Sequence, residues 1–144
     1  MTEWDKQLYF DDVVVDAELE PVSIPLSLQR LVMEAGANRD LSSIHHDTEA
    51  AVATGAPGVY MNTYFIMGMI ERLVREWMGL QGQIKKIGPL RMKMFNCVGD
   101  TVVFRGKVRQ KNEENHLVVL DIQSETRNGE TVTAEATVCL PRRN

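Results

Sequence analysis

MNTYFIMGMIERLVREWM, residues 61–78, is the only long apolar run of the chain with helical spacing. In its second half Ile70, Leu73, Val74 and Trp77 recur on one face, while Glu71, Arg72, Arg75 and Glu76 take the other. That is the pattern of a helix lying on a core with its far side wet. Its first half, Tyr64, Phe65, Ile66, Met67, Met69 and Ile70, is apolar on every side and predicts burial all round. Gly68 costs helix propensity, about 1 kcal/mol against Ala, which a neighbour passing close to the helix would explain. A sheet wrapped around the helix would be such a neighbour.

The sequence beyond Gln83 supplies that sheet. Leu90, Met92 and Met94 alternate with Arg91 and Lys93, and Val102, Phe104 and Val108 with Arg105, Lys107 and Arg109. Val118, Leu120 and Ile122 alternate with Asp121 and Gln123, and Val132, Ala134, Ala136, Val138 and Leu140 with Thr131, Thr133, Glu135 and Thr137. A period of two over four runs predicts four half-buried strands. Gly99-Asp100 and Asn128-Gly129 are turn dipeptides, and the second joins two alternating runs as a hairpin does, so the sheet is predicted antiparallel. His116, after Asn112, Glu113, Glu114 and Asn115, falls in a solvated hairpin tip. A helix set against an antiparallel sheet makes the class α+β.

Upstream, residues 1–20 read as an exposed lead, with Val13, Val14 and Val15 a short strand or edge segment. Pro21 and Pro25 bracket Val22, Ser23 and Ile24. Ser27 is placed to cap a helix carrying Leu28, Leu31, Val32 and Ala35, ended by Gly36. Asp47, Thr48 and Glu49 start another short helix through Ala53, stopped by Gly55 and Pro57. Only residues 79–82 resemble a linker, and no repeat interrupts the chain, so residues 1–144 are expected to form one domain.

Composition removes several classes of function. A formal net charge of −4, with Lys and Arg scattered among acids, does not suit a protein that neutralises phosphates, so no nucleic-acid partner is expected. Glu71, Arg72, Arg75 and Glu76 break the longest apolar run well short of the ~20 residues of a membrane helix. Cys97 and Cys139 form no paired motif, and the opening Met-Thr-Glu-Trp-Asp is not a secretory signal, so a cytoplasmic location is expected. Phosphate-loop, dinucleotide and Gly-x-Ser-x-Gly patterns are missing.

The chemistry-bearing residues cluster in residues 38–51, Asn-Arg-Asp-Leu-Ser-Ser-Ile-His-His-Asp-Thr-Glu-Ala-Ala. Asp40 and His45, with Ser42 and Ser43 between them, follow a helix end, where irregular backbone can bring carboxylate and imidazole around one small volume. Taken alone, each has a structural reading: a hydrogen-bonded histidine, and an Asp that serves a turn. His45, His46 and Asp47 are adjacent in sequence and lack a completing ligand, so no metal is expected.

Asp40-Leu41-Ser42-Ser43-Ile44-His45, with Ala51 six residues on, resembles the signature of the MaoC-like (R)-specific enoyl-CoA hydratases, Gly-Asp-x-Asn-Pro-Leu-His followed by five residues and Ala or Ser. Asp, His and their spacing are kept, whereas Arg39 replaces the Gly and Ser42-Ser43 replace Asn-Pro. The resemblance extends over residues 22–141, with Val98-Gly99-Asp100-Thr101-Val102 similar to the family's Gly-Asp strand start. It implies the hot-dog fold, a central helix wrapped by a curved antiparallel sheet. Within the family, small subunits that pair with a second hot-dog subunit to hydrate steroid side-chain enoyl-CoA thioesters also carry Arg-Asp before the loop and His-His-Asp after it.

The resemblance implies hydration of trans-2-enoyl-CoA, or the reverse dehydration, with Asp40 and His45 activating water. The oxyanion donor falls to the backbone N–H of Thr63, where Asn62-Thr63 replaces the family's His-Gly. Ser42 and Asn62 would line the substrate, and Lys85, Lys86 and Arg91 are candidates for the phosphates of CoA, unless they are solvated strand charges. No cofactor is implied beyond the CoA of the substrate, and the assembly would be a homodimer or a heteromer with another hot-dog subunit. Two rivals remain on the same fold: a thioesterase, in which Glu71 on the central helix would be the acid, and a silent subunit that completes a partner's tunnel.

Overall fold

The structure, a computed structural model, describes residues 6–143. The absence of a secretory signal in residues 1–5 lies outside the described residues. Five strands, β1 (Val22–Pro25), β2 (Gln83–Met92), β3 (Thr101–Asn112), β4 (Leu117–Thr126) and β5 (Gly129–Cys139), form one antiparallel sheet in the order β1-β3-β4-β5-β2. Three helices accompany it, α1 (Leu28–Ala37), α2 (Thr48–Ala53) and α3 (Thr63–Met78). This is the hot-dog architecture, α+β.

Alternation in β3, β4 and β5 does what period two requires. Val102, Phe104, Val108, Val118, Leu120, Ile122, Val132, Ala136 and Val138 are buried on the inner face, against Phe65, Ile66, Met69, Ile70, Leu73, Val74 and Met78 of α3. Burying each such large side chain contributes about 1.5–3 kcal/mol. On the outer face the cations of β3 have acidic partners: Arg105 meets Glu125 at 2.8 Å, Lys107 Asp16 at 2.9 Å, and Arg109 both Asp121 and Glu135. Beyond a β-bulge, Lys111 lies opposite the buried Val118 instead, over the Phe10 ring and 3.5 Å from Glu113.

Several expectations need correction. Val13, Val14 and Val15 are not a strand: a 3-10 turn, Phe10–Asp12, precedes them, and Val14 is 66% exposed. The edge strand is instead Val22–Pro25, whose Val22 and Ile24 turn inward, with Pro25 at an edge where its missing N–H costs no ladder bond. Leu31 and Ala35 of α1 are buried, but Leu28 and Val32 are exposed, so the apolar stripe is narrower than the sequence suggests. Strand β2 starts at Gln83, directly after residues 79–82, but stops at Met92, before Met94; none of its residues is fully buried. His116 is half-buried, its ring 5.3 Å from that of Phe10.

The first half of α3 is not buried all round. Phe65, Ile66, Met69 and Ile70 are, but Tyr64 is 61% and Met67 39% exposed, on a face shared with Thr63 and Gly68. A Cβ on Gly68 would meet nothing within 4 Å, so no strand passes close to it. No helix among the described residues is long and apolar enough to cross a membrane.

Candidate active site

The loop after α1 is set by a hydrogen-bonded helix end. Helix α1 runs through Gly36 rather than ending there; Arg39 N–H donates to the Gly36 carbonyl (3.1 Å) and Asp40 N–H to that of Ala35 (2.9 Å). This pairing needs a left-handed residue, and Arg39 takes it at φ 56°. A non-glycine residue holds this conformation at a steric cost of roughly 1–2 kcal/mol. Asp40, the first residue beyond the turn, is thereby aimed by the helix end.

A 3-10 turn, Ser43–His45, then carries His45 inward. His45 N–H donates to the Ser42 carbonyl, and Asp47 N–H to that of Ser43. Asp47 Oδ1 accepts from Glu49 N–H and Ala50 N–H, capping α2 as its sequence predicts and taking it away from any shared ligand set. No metal-binding cluster occurs among the described residues.

The two turns bring Asp40 and His45 together. Nε2 of His45 lies 3.2 Å from Oδ2 of Asp40; the imidazole side chain is 7% exposed and the carboxylate 26%. On the other side of the ring, Nδ1 is 2.8 Å from the carbonyl oxygen of Tyr60. A carbonyl can only accept, so Nδ1 carries a hydrogen and a neutral ring presents a bare lone pair at Nε2. The Asp40 carboxylate stands 3.2 Å from that position, so a base and an acid group face one small volume and a proton held at Nε2 would lie beside a negative charge. Ser42 N–H reaches Asp40 Oδ1 at 3.4 Å, and its side chain is exposed.

The Tyr60 ring stands edge-on to His45 at 5.3 Å and against Phe95 at 4.6 Å. Tyr60 bridges Cys97, and Met61 N–H donates to the Asn96 carbonyl, so the strand-like segment before α3 is tied to that after β2. Burial, aided by the Asp100 charge, raises the Cys97 thiol above its ordinary range and leaves it an inert packing group. Asn62 caps α3: its Oδ1 accepts from Phe65 N–H at 2.7 Å, leaving Thr63 N–H, the first of the helix, outside the helix's own bonds. Thr63 Oγ1 lies 3.9 Å from Met92 Sδ. Asn62 Nδ2 and both side-chain polar atoms of Asn96 are buried without partners among the described residues, a local cost of the kind functional sites carry.

Met92, Lys93, Met94 and Phe95 border a concavity of about 120 Å³ beside this corner. A larger one, about 350 Å³, lies along β3 and β4 between Glu18, Lys107 and Asp121 and shares no residue with the Asp–His loop. Lys86 pairs in register with Thr137 and Arg91 with Thr133, on the outer face of the sheet, whereas Met92 turns inward. Lys85 reaches the side-chain oxygen of Gln83 at 2.6 Å. Glu71 is held by Arg75 at 2.7 Å on the surface of α3. No side-chain pattern points to the Tyr60 carbonyl, which as a backbone group is independent of side-chain identity, and Met92 reads in the sequence only as an inward strand position.

The sheet and central helix define a hot-dog protein, and the loop after α1 sets an acid beside an imidazole at its candidate site. A Mycobacterium tuberculosis protein named 3-oxo-4,17-pregnadiene-20-carboxyl-CoA hydratase beta subunit is 35% identical over 104 residues, 72% of this chain and 78% of its own. A chain in the crystal structure of the ChsH1-ChsH2 complex from Mycobacterium tuberculosis is 31% identical, with TM-score 0.84 over 89% of this chain and 98% of its own. The (R)-hydratase from A. caviae involved in PHA biosynthesis, 21% identical, shares the fold at TM-score 0.82 over 90% of this chain and 98% of its own. No protein-family model matches the chain. The chain belongs to the MaoC-like hydratase family.

Proposed function

We propose that this chain adds water across the C2=C3 bond of trans-2-enoyl-CoA thioesters, or removes it from 3-hydroxyacyl-CoA, and that the product is the (3R) isomer. The observation that carries the reading is the 3.2 Å contact of His45 Nε2 with Asp40 Oδ2, its tautomer fixed by the Tyr60 carbonyl. As the water oxygen bonds C3, one member of the pair takes a proton from it and the other delivers one to C2. The π electrons move toward the thioester oxygen, where the N–H of Thr63, aided by the dipole of α3, receives the developing charge. Water and proton come from one pair and hence from one face of the double bond. Thr63 stands where the family has Gly, so its side chain narrows the approach to that N–H.

The assembly proposed is a heteromer with a second hot-dog subunit, supported by the ChsH1-ChsH2 complex and by the open apolar surface of Tyr64, Met67, Met92, Met94 and Phe95 beside the pair. A ring-bearing acyl group is the proposed substrate class, supported by the substrate in the relative's name and by the space beside Gly68. Chiral analysis of the hydrated product tests the arrangement: the (3R)-3-hydroxyacyl-CoA is expected, and the (3S) isomer would overturn it.

A further inference from the structure

We propose that the free edge of β2 selects a hot-dog subunit with an acidic edge strand and turns away a second copy of this chain. The inference rests on the reading that the chain works beside a hot-dog partner, and it names the chemistry that chooses that partner. The sheet order leaves one side of β2 without a neighbouring strand among the described residues. From Gly79 to Gly99 the sequence carries Lys85, Lys86, Arg91 and Lys93 and no acid, in a chain whose net charge is −4. Lys93 pairs with Glu130 of the same chain. Lys85 reaches only the amide oxygen of Gln83, and Lys86 and Arg91 have no acidic partner among the described residues. The cations of β3, by contrast, are all neutralised within the chain.

An unpaired edge of this length invites strand addition, and lysines on it deter the wrong strand. Two copies meeting about a two-fold axis must pair antiparallel through the same residues. Centred between Gly88 and Pro89, that pairing puts Lys86 of each copy opposite Arg91 of the other, and like charges directly opposite are destabilising. Acidic side chains at those positions would reverse the sign and steer the encounter. The apolar surface of Met92, Met94 and Phe95 continues from the end of the strand to Tyr64 and Met67 of α3, so a strand seated on this edge has a body to cover beside it. The outer-face position of Lys86 and Arg91 fits a neighbouring strand better than a ligand held at Asp40 and His45.

The test needs no substrate, so its failure is separable from failure of the hydratase reading, which shows only in turnover. Self-association of the full chain is measured by sedimentation for wild type, Lys86→Glu, Arg91→Glu and the double variant, at low and high salt. Each single reversal places Glu opposite a cation twice across the two-fold, and should tighten self-association about tenfold or more. The double reversal restores like charges and should fall back to the wild-type level, and high salt should erase the differences. A strand peptide with Glu at alternate positions should bind wild type, and its Lys counterpart only the double variant. Equal self-association by all four proteins would overturn the proposal. So would single reversals that leave association unchanged and raise KM for CoA thioesters, which would assign these cations to the CoA phosphates.

Discussion

The two edges of the sheet are built to opposite standards. On the β1 side the ladder extends beyond the strand: Leu19 N–H bonds the Gly106 carbonyl, Asp16 N–H that of Val108, and Glu18 bridges Lys107. Lys107 is paired there with Asp16, and Gly106 is small because Leu19 packs on it; a Cβ would come within 2.9 Å of the Leu19 side chain. On the β2 side the edge strand is exposed, its cations lack acids, and the first turn of α3 leaves Tyr64, Met67 and Gly68 uncovered. Groups satisfied within the chain belong to the first edge; groups awaiting something from outside belong to the second, beyond whose end Phe95 packs on the Tyr60 ring beside His45. The lesson is that this fold leaves its unfinished surface near the Asp40 and His45 pair.

Substitutions should separate the two sides. Phe104→Ala, in the core of β3, should cost about 3–5 kcal/mol in chemical denaturation, since it deletes a fully buried ring. Smaller and opposite in sign, Arg39→Gly should stabilise the chain by roughly 1 kcal/mol, because Gly adopts the left-handed turn without steric cost. Gly68→Ala should also stabilise the isolated chain, by about 0.5–1 kcal/mol, because its Cβ meets nothing; a loss would mean that some group does cover the helix there. Arg109→Ala removes two surface ion pairs on the finished side and should change stability by under about 1 kcal/mol. Melting curves of these four variants would show whether the contrast between the edges is energetic or only geometric.

Much of the finished side was legible in the sequence. Alternation in β3, β4 and β5 needs only local pattern, and the Asp47 cap and the hairpin at Asn128-Gly129 are short-range chemistry. Strand β1 was hidden because four residues between prolines are too few to show a period. The first turns of α3 are illegible in the sequence for a physical reason: apolar side chains announce that they will be covered, not by what. Tyr64 and Met67 carry the same signal as Phe65 and Ile66, yet only the latter pair is covered by this chain. In the site, Asp40 and His45 could be named from their spacing, but the Tyr60 carbonyl that sets the tautomer could not.

The central claim is that Asp40 and His45, rather than a carboxylate on α3, carry the chemistry. Enoyl-CoA hydration is the measurement, with wild type, Asp40→Asn and Glu71→Gln compared in the same assembled state and checked for equal thermal stability. Asp40→Asn is expected to lose about 10²-fold or more of kcat, since it removes a group that must exchange a proton in the transition state. Glu71→Gln, which only breaks an exposed pair with Arg75, is expected to remain near wild type. Full activity in Asp40→Asn together with an inactive Glu71→Gln would contradict the account and place the catalytic acid on the central helix.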